Sequence, residues 1–488
     1  MTATPLGSIV SCGAYVPRLR LPRAQIADAM RWLRPDTATP SGSRAVCNWD
    51  EDALTLAVEA ARLCTARAGP ETRIGSVSLA STTLPFADRS NATLLAGALD
   101  LPEDVETADV AGSLRAGTTA LAQAARRRGG AARLVVASDA RVARPGSPQE
   151  MEFGAGAAAL LVTDATRDAG AVPALASILA TTHRAADFVD HYRMQGKPFD
   201  YALEERWVRD EGLLKLVPAA IAQTLTAAAI EPARIDRIVL AAGASAAPRI
   251  ARQAGLGHAC LQDGLREECG DTGVAHPLLM LAAALDEAAP GEHVLVVGFG
   301  QGVDALLIRI AQERPPGAGR TVSDALARRK AEPNYSRYLS HSGLLDVDFG
   351  MRAERDNRSA HSVAWRKHRA VTAFVGGRCK QCATVQFPRS RVCVNPECRK
   401  TDTQADHRLA DTIGRVKSFT EDWQAFSPRP PYVYGNVEFE GGGNLMMELT
   451  DVDSGEVAVG TRVRFVFRIK DRDALRGFRR YFWKAVQA

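Results

Sequence analysis

Four cysteines near the C-terminus carry the most specific chemistry in this 488-residue sequence. Two residues separate Cys379 from Cys382, four separate Cys393 from Cys398, and ten lie between the pairs. Paired thiolates at this spacing suit one tetrahedral ion of soft character, which makes zinc the expected metal. Four protein ligands leave no open position, so the expected role is structural. The second candidate is the stretch Asp109–Leu121, DVAGSLRAGTTAL. Val110 closes a β-like run, Gly112 permits a tight turn, and Ser113 suits the N-cap of a helix through Ala116, Leu121 and Ala125. Such an elbow gathers backbone N–H groups and a helix dipole, so a thiol placed there becomes a reactive thiolate. This elbow carries a serine, and a serine needs a base within hydrogen-bond reach. His276, in Ala275-His276-Pro277, is the candidate base, with Asp271 nearby in sequence. The plain alternative makes Ser113 a helix cap, His276 a first-turn helix residue and Asp271 a cap of that same helix. Cys12, Cys47, Cys64, Cys260 and Cys269 are scattered and read as small buried residues. His183 and His191, in HRAADFVDHYR, read as part of a surface loop or an interface.

The elements that must position these residues alternate between strand and helix. Residues 6–17 read as a strand and turn. Residues 51–68 carry a helical apolar face that opens on Asp50-Glu51-Asp52. Strand Ile74–Leu79, a helix at Asn91–Leu99, the elbow helix, strand Arg133–Ser138 and the apolar run Gly154–Val162 follow. The next stretch repeats this one. RIGSVSLAS from Arg73 matches RIDRIVLAA from Arg234, and the run from Gly112 matches the run from Gly270 across nearly the same length of chain. That agreement points to a duplicated α/β unit with helices on the faces of mixed sheets. PPGAG at 315–319 signals a linker. Arg320–Lys330 reads as a helix, Asn334–Leu345 as a docking segment, and Asp346–Ala370 as a polar connector. Beyond the cysteine cluster, Thr412–Phe419, Tyr432–Glu438, Leu445–Leu449 and Val457–Ile469 read as strands of a small barrel such as an OB-fold. Leu475–Val486 reads as a short closing helix. The expected divisions are therefore 1–165 and 166–315 for the two α/β halves, 316–370 for the docking segment and connector, 371–408 for a zinc ribbon and 409–488 for the barrel.

Hydrophobic residues make up 46% of the chain and charged residues 24%, ordinary values for a soluble globular protein. No apolar run reaches the roughly 18 residues a membrane span requires. The N-terminus lacks the basic-then-apolar pattern of a secretion signal, so the cytoplasm is the expected location. The net charge is only +5, and the segment after about residue 360 holds more than that whole excess. Arg462, Arg464, Arg468 and Lys470 alternate along one expected strand, and Arg472, Arg476, Arg479 and Arg480 follow. These cations fit a solvated face, the phosphates of coenzyme A, or single-stranded nucleic acid on a barrel that also carries Trp423, Phe426, Tyr432 and Tyr434.

The elbow resembles that of the thiolase superfamily, and most of all 3-hydroxy-3-methylglutaryl-CoA synthase of the bacterial and archaeal type. The resemblance implies a five-layer αβαβα fold. In that family a cysteine stands two residues before the Ala-Gly-Thr of the helix, and here that position is Leu114. The family's general base is a glutamate in a loop shaped like Ser-Glu-Ser-His-Pro. Ser81-Thr82-Thr83-Leu84-Pro85 matches it, with Thr82 at the carboxylate position. A family histidine at a strand end is matched by Ala241, and an asparagine in a Gly-Asn-Thr turn by Asp271. Asn48-Trp49-Asp50-Glu51-Asp52, Gly154–Ala159 and the turn Gly298-Phe299-Gly300-Gln301-Gly302 persist. Gly298, Gly300 and Gly302 resemble the turn that brings backbone N–H groups to the thioester. FVGGRCKQCATVQFPRSRVCVNPEC, from Phe374, resembles a rubredoxin-like zinc ribbon that precedes an OB-fold in a family of acyl-CoA-associated proteins. Ala383 departs from that family's usual glycine.

These resemblances imply an acyl-CoA-binding subunit with a degenerate triad. It would act with a cysteine-bearing thiolase in Claisen condensation or thiolytic cleavage, as a dimer or hetero-oligomer. The ligand implied is a coenzyme A thioester, alongside structural Zn2+. One alternative is a self-sufficient synthase-like acyltransferase using Ser113, His276 and Asp271. The other, least expected, is a single-stranded nucleic-acid binder built on the ribbon and barrel.

Overall fold

The computed structural model describes residues 4–35, 39–164, 173–202, 204–243, 245–313, 321–358 and 360–488. The expected divisions at 165/166 and 315/316, and the PPGAG linker, lie outside the described residues. The chain forms two units. The first comprises Met1–Cys47, Asp52–Thr93 and Pro102–Tyr338; the second comprises Leu339–Ala488 with Asn48–Glu51 and Leu94–Leu101. Among the described residues no helix is long and apolar enough to cross a membrane.

Ten strands of the first unit share one sheet. In chain order they are β1 (Gly7–Tyr15), β2 (Ile74–Ala80), β3 (Glu106–Val110), β4 (Ala132–Ala140), β5 (Ala155–Thr163), β6 (Ala176–Ala185), β7 (Arg237–Leu240), β8 (Cys260–Leu261), β9 (His293–Phe299) and β10 (Gly302–Ile310). Their spatial order is β8-β7-β9-β10-β6-β1-β5-β4-β2-β3. Read outward from the central β1–β6 pair, the two halves repeat each other. In each, an antiparallel hairpin (β5 with β4, β10 with β9) is followed by a parallel pair (β4 with β2, β9 with β7). This is the duplication the two repeated sequence runs predict.

The layers follow from strand alternation. Val294 and Val296 of β9 belong to the core shared with α3 (Ala116–Arg126) and α6 (His276–Glu287), whose apolar faces are rich in Ala and Leu. Leu295 and Val297, pointing the other way, pack with α4 (Leu214–Ala228) and α5 (Ala247–Gln253). On the first half, α1 (Ala53–Ala68) covers the opposite face, and the Ser138 hydroxyl donates to Ala53 O at 2.7 Å. Asp52 caps α1 in a reciprocal capping box with Thr55, as the acidic start of that helix leads one to expect. With α2 (Asn91–Ala98) also in place, the expected five-layer αβαβα arrangement is present. The helix expected at Arg320–Lys330 is shorter, Thr321–Ala327, because Lys330–Ala331 pairs as a strand with Leu19 and Arg20.

The second unit holds two small sheets. The first joins β11 (Val375–Cys379), β12 (Val385–Gln386) and β13 (Gln404–Arg408). The second orders β16-β15-β14-β17-β18, with β14 Gly414–Asp422, β15 Tyr432–Phe439, β16 Asn444–Glu448, β17 Arg462–Asp473 and β18 Phe478–Gln487. Phe374 joins them. Its ring lies 5.1 Å from Phe387, 5.3 Å from Phe465 and 6.0 Å from Trp483. The closing helix expected at Leu475–Val486 is a strand. Tyr481, Trp483 and Ala485 alternate inward, and β18 pairs antiparallel along β17. Aromatic residues favour that pleated, half-buried setting over a helix.

The basic strand is also corrected. Arg468 is wholly buried against Glu51 (3.0 Å) and Asp451 (2.9 Å), with Asp50 at 3.8 Å. Lys484 on β18 is equally buried, 2.9 Å from Asp50 and 2.7 Å from Glu448, over the Trp49 ring. Arg476 pairs with Asp473 and Arg480 with Asp471. Arg468 is thus withdrawn from the expected solvated face, while Arg462, Lys470, Arg472 and Arg476 remain exposed on it.

Candidate functional site

The elbow forms between β3 and α3 as its residue types require. Gly112 takes φ +87°, a left-handed conformation that side chains disfavour. The helix starts at Ala116, with Arg115 in the cap position and no side-chain cap, so Ser113 is not the N-cap. Its hydroxyl donates instead to Gly300 O at 2.7 Å and accepts the Arg115 N–H at 3.2 Å. The Arg115 guanidinium also donates to Gly300 O, at 3.0 Å. The elbow is thereby clasped onto the glycine turn that the resemblance singles out.

That turn has little room. A Cβ on Gly300 would lie 2.9 Å from the Ser113 hydroxyl and 3.1 Å from Leu114 N, and one on Gly298 would fall on the Thr118 hydroxyl. Gly302, at φ +123°, would meet Arg184 O. The Gly300 N–H closes the turn on Gly302 O at 3.0 Å, so it is already committed. The Leu114 N–H makes no hydrogen bond among the described residues and is an open donor at the elbow.

The other family positions are close to structural groups. Thr82 donates its N–H and its hydroxyl to Asp139, at 2.8 and 2.9 Å. Leu114 and Ala241 are half-buried and pack on the central core. Asp271 accepts the Gly273 N–H and pairs with Arg266, both at 2.8 Å. Burial works against its charge, but Arg266, His276 and Arg141 together hold it well below the usual carboxylate range. Neither the short turn before α6 nor α6 itself carries a side-chain cap, so the expected capping of that helix by Asp271 is not made, and its carboxylate turns back onto the Gly273 N–H instead. His276 is buried, and its Nδ1 accepts the Thr272 N–H at 3.2 Å. Burial pushes its pKa down, so the ring is neutral near pH 7. Ser113 and His276 do not hydrogen-bond to each other; each is committed elsewhere.

Two buried acids organise the site, and the sequence reading missed both. Asp139, at the end of β4, accepts from the Ser81, Thr82 and Thr83 hydroxyls and from the Thr82 and Val274 N–H groups, at 2.8–2.9 Å. It ties the loop matching the family's base to the start of the second half's central helix. Asp304, on β10, accepts from Arg115 (2.8 Å), Thr118 (3.1 Å), Thr119 (2.5 Å) and the His183 ring (2.7 Å). Burial opposes its charge, yet the His183 and Thr119 hydrogen bonds and the Arg115 charge hold its pKa down. A charge inside the apolar run GVDALLIRI was the available signal. His183 thus lies on β6 at the elbow, not in a surface loop. His191, paired with Asp190 at 2.8 Å, does lie in an irregular segment. From the same segment Arg193 reaches Thr82 O, and Arg141 pairs with Asp200 at 2.6 Å.

No thiol stands at the elbow. Cys12 and Cys269 are buried, and burial pushes their pKa up to about 11 and about 12; buried Cys64 is pushed higher still. None is a thiolate at neutral pH.

In the second unit the Sγ atoms of Cys379, Cys382, Cys393 and Cys398 all lie within 4.8 Å of one another. Cys379 and Cys398 are 3.9 Å apart, and Cys382 and Cys393 are 3.5 Å apart. Sulfurs about 2.3 Å from a shared zinc at tetrahedral angles would stand at such separations. The donor set fits zinc, held with no open position. Ala383 takes φ +60° at the position where the resembling family has glycine. Ala383→Gly is therefore expected to stabilise the ribbon by about 1 kcal/mol, readable as a later thermal transition with zinc bound.

Duplicated α/β halves around a clasped elbow define a thiolase-type acyl-transfer fold, extended by a cysteine ribbon and a five-stranded barrel sheet. The comparisons agree. The chain is 31% identical over 354 residues to hydroxymethylglutaryl-CoA synthase of Methanosarcina barkeri (strain Fusaro / DSM 804), spanning 69% of this chain and 98% of that protein. It is 30% identical to the Archaeoglobus fulgidus enzyme of that name, over 68% of this chain and 97% of that protein. Among solved structures, MvaS in complex with 3-hydroxy-3-methylglutaryl coenzyme A aligns with TM-score 0.55 at 20% identity, covering 69% of this chain and 91% of that one. A histidine-to-alanine variant of OleA from Xanthomonas campestris aligns with TM-score 0.56 at 18% identity, covering 63% of this chain and 100% of that one. Residues 366–404 match the family described as ChsH2, rubredoxin-like zinc ribbon domain, and 407–468 match ChsH2, C-terminal OB-fold domain. The chain belongs to the hydroxymethylglutaryl-CoA synthase family, with ChsH2-type zinc ribbon and OB-fold domains at its C-terminus.

Proposed function

We propose that the first unit binds acyl-CoA thioesters at the elbow without forming an acyl-enzyme, and acts with a cysteine-bearing thiolase subunit in condensation or cleavage of those thioesters. Leu114 carries this reading. It stands at the residue from which the family's thiol attacks, while its backbone N–H stays open to a thioester oxygen. Thr82, at the family's base position, is bound to Asp139 and offers no carboxylate. MvaS, which shares the fold, was solved with a coenzyme A thioester bound. The assembly is proposed as a dimer or hetero-oligomer, which light scattering of the mixed subunits tests.

Intact-protein mass spectrometry after incubation with acetyl-CoA tests the central point. The wild type should gain no acetyl group, whereas Leu114→Cys should gain one, because the elbow's N–H donors and helix dipole favour a thiolate there. An acetylated wild-type chain would defeat the reading. The 31% identity to a hydroxymethylglutaryl-CoA synthase favours a second reading, a chain that acts alone; it requires turnover of acetyl-CoA and acetoacetyl-CoA by the purified chain.

A further inference from the structure

The residues around Asp304 carry an element of chemistry that the lost triad does not explain. Asp304 is 0% exposed, and His183 opposite it across the β10–β6 ladder is 28% exposed. Nδ1 of His183 lies 2.7 Å from the carboxylate, which fixes the tautomer with the proton on Nδ1. The Nε2 lone pair is then the outward atom, and it meets no hydrogen-bond partner among the described residues. Arg115 shares the same carboxylate oxygen at 2.8 Å and reaches Gly300 O at 3.0 Å. One hydrogen-bonded chain therefore runs from the elbow, next to Leu114, through Arg115 and Asp304 to His183. The charged groups on His183 are Asp304 from β10 and, through the shared oxygen, Arg115 from α3. The ring is thus held by one nitrogen and keeps the other as an acceptor, which is what a general base requires.

We propose that His183, oriented by Asp304, is a proton-transfer residue of this site that deprotonates the α-carbon of a bound acyl-CoA thioester. The inference rests on the acyl-CoA reading given above. The Cα–H bond breaks, its proton passes to Nε2, and the electron pair moves onto the thioester oxygen as an enolate. The Leu114 N–H, which makes no hydrogen bond among the described residues, is the donor offered to that oxygen. The imidazolium then returns a solvent-derived proton to the carbon. No nucleophilic thiol is needed for this half of carbon–carbon chemistry, so it can persist where Leu114 has replaced the family's cysteine.

The test is hydrogen exchange into acetyl-CoA in D2O with the full chain, read by mass spectrometry against a protein-free control, with acetyl-CoA binding measured in parallel by calorimetry. The wild type should catalyse exchange at a rate that rises with pH through one ionisation to a plateau. His183→Gln should bind acetyl-CoA but exchange about a hundredfold more slowly or less, and added imidazole should restore exchange to His183→Ala. His191→Gln should match the wild type. Binding without exchange in the wild type, equal exchange in His183→Gln, or a rate independent of pH would each overturn the assignment and leave the acyl-CoA reading standing. Absence of acetyl-CoA binding would defeat that reading and the base with it. Should His183→Gln fail to fold, the imidazole rescue of His183→Ala decides.

Discussion

Arg468→Met should destabilise the second unit by about 3–5 kcal/mol, although methionine matches the arginine stem in apolar bulk. The guanidinium is wholly buried and answers Glu51, Asp451 and Asp50, all of them buried or nearly so. Removing it leaves three carboxylates without their shared counterion, and Lys484 already serves Asp50 and Glu448. Amide hydrogen exchange of β17 and β18 peptides in the full chain reads the effect, and unchanged protection would refute it. The pH dependence adds a sign. Burial, against the pull of Arg468, pushes Glu51 up to about 7 from an ordinary 4.5, so the folded chain holds a proton that the unfolded chain has released. That contribution is complete below 4.5 and is lost as pH rises through about 7. Asp50 runs the other way. Burial opposes its charge but Lys484 and Arg468 outweigh it, so its contribution is present above 3.8 and fades as pH falls through its lowered folded value. Protection of β17 should therefore decline between about pH 5 and 7, and Glu51→Gln should flatten that decline.

What the sequence disclosed and what it hid divide along a physical line. Repeated apolar runs, the glycine at the elbow and the cysteine spacing are local signals, and each marks its element. The capped start of α1 was legible because Asp52 and its partner Thr55 lie three residues apart. Asp139 and Asp304 were not, because their meaning comes from donors far away in the chain: Val274 for one, Arg115 and His183 for the other. Ser113 looked like a cap for the same reason; nothing local announces that Gly300 O will take its proton. The closing strand β18 does not read as a strand because Phe482 and the buried Lys484 stand between Tyr481, Trp483 and Ala485 and blur the apolar–polar alternation, and its partner strand supplies the order that the segment lacks alone. Arg468 reads locally as a solvated cation because its counterion, Glu51, lies more than four hundred residues earlier in the chain.

Removing zinc should unfold the ribbon while the barrel strands stay ordered. The ribbon cannot hold itself together by burial. Its sheet has three strands, one of only two residues, and its buried apolar side chains amount to little more than Phe374, Val375, Val385 and the cysteines themselves. A core so small needs a metal or a disulfide. All four sulfurs converge within 4.8 Å, an arrangement that without an ion must either bury unpaired thiols or crowd thiolates. Zinc bound to such a quartet contributes on the order of 10 kcal/mol to folding. The purified chain should therefore carry one zinc. Cys393→Ser, at a buried ligand, should lose it, and a strong chelator should expose residues 375–408 to rapid amide exchange. The barrel should resist, because Phe374 joins its cluster of Phe439, Phe465 and Trp483 from outside the cysteine knuckles. If exchange at 375–408 is unchanged after the metal is gone, the ribbon is held by that aromatic joint and not by the ion.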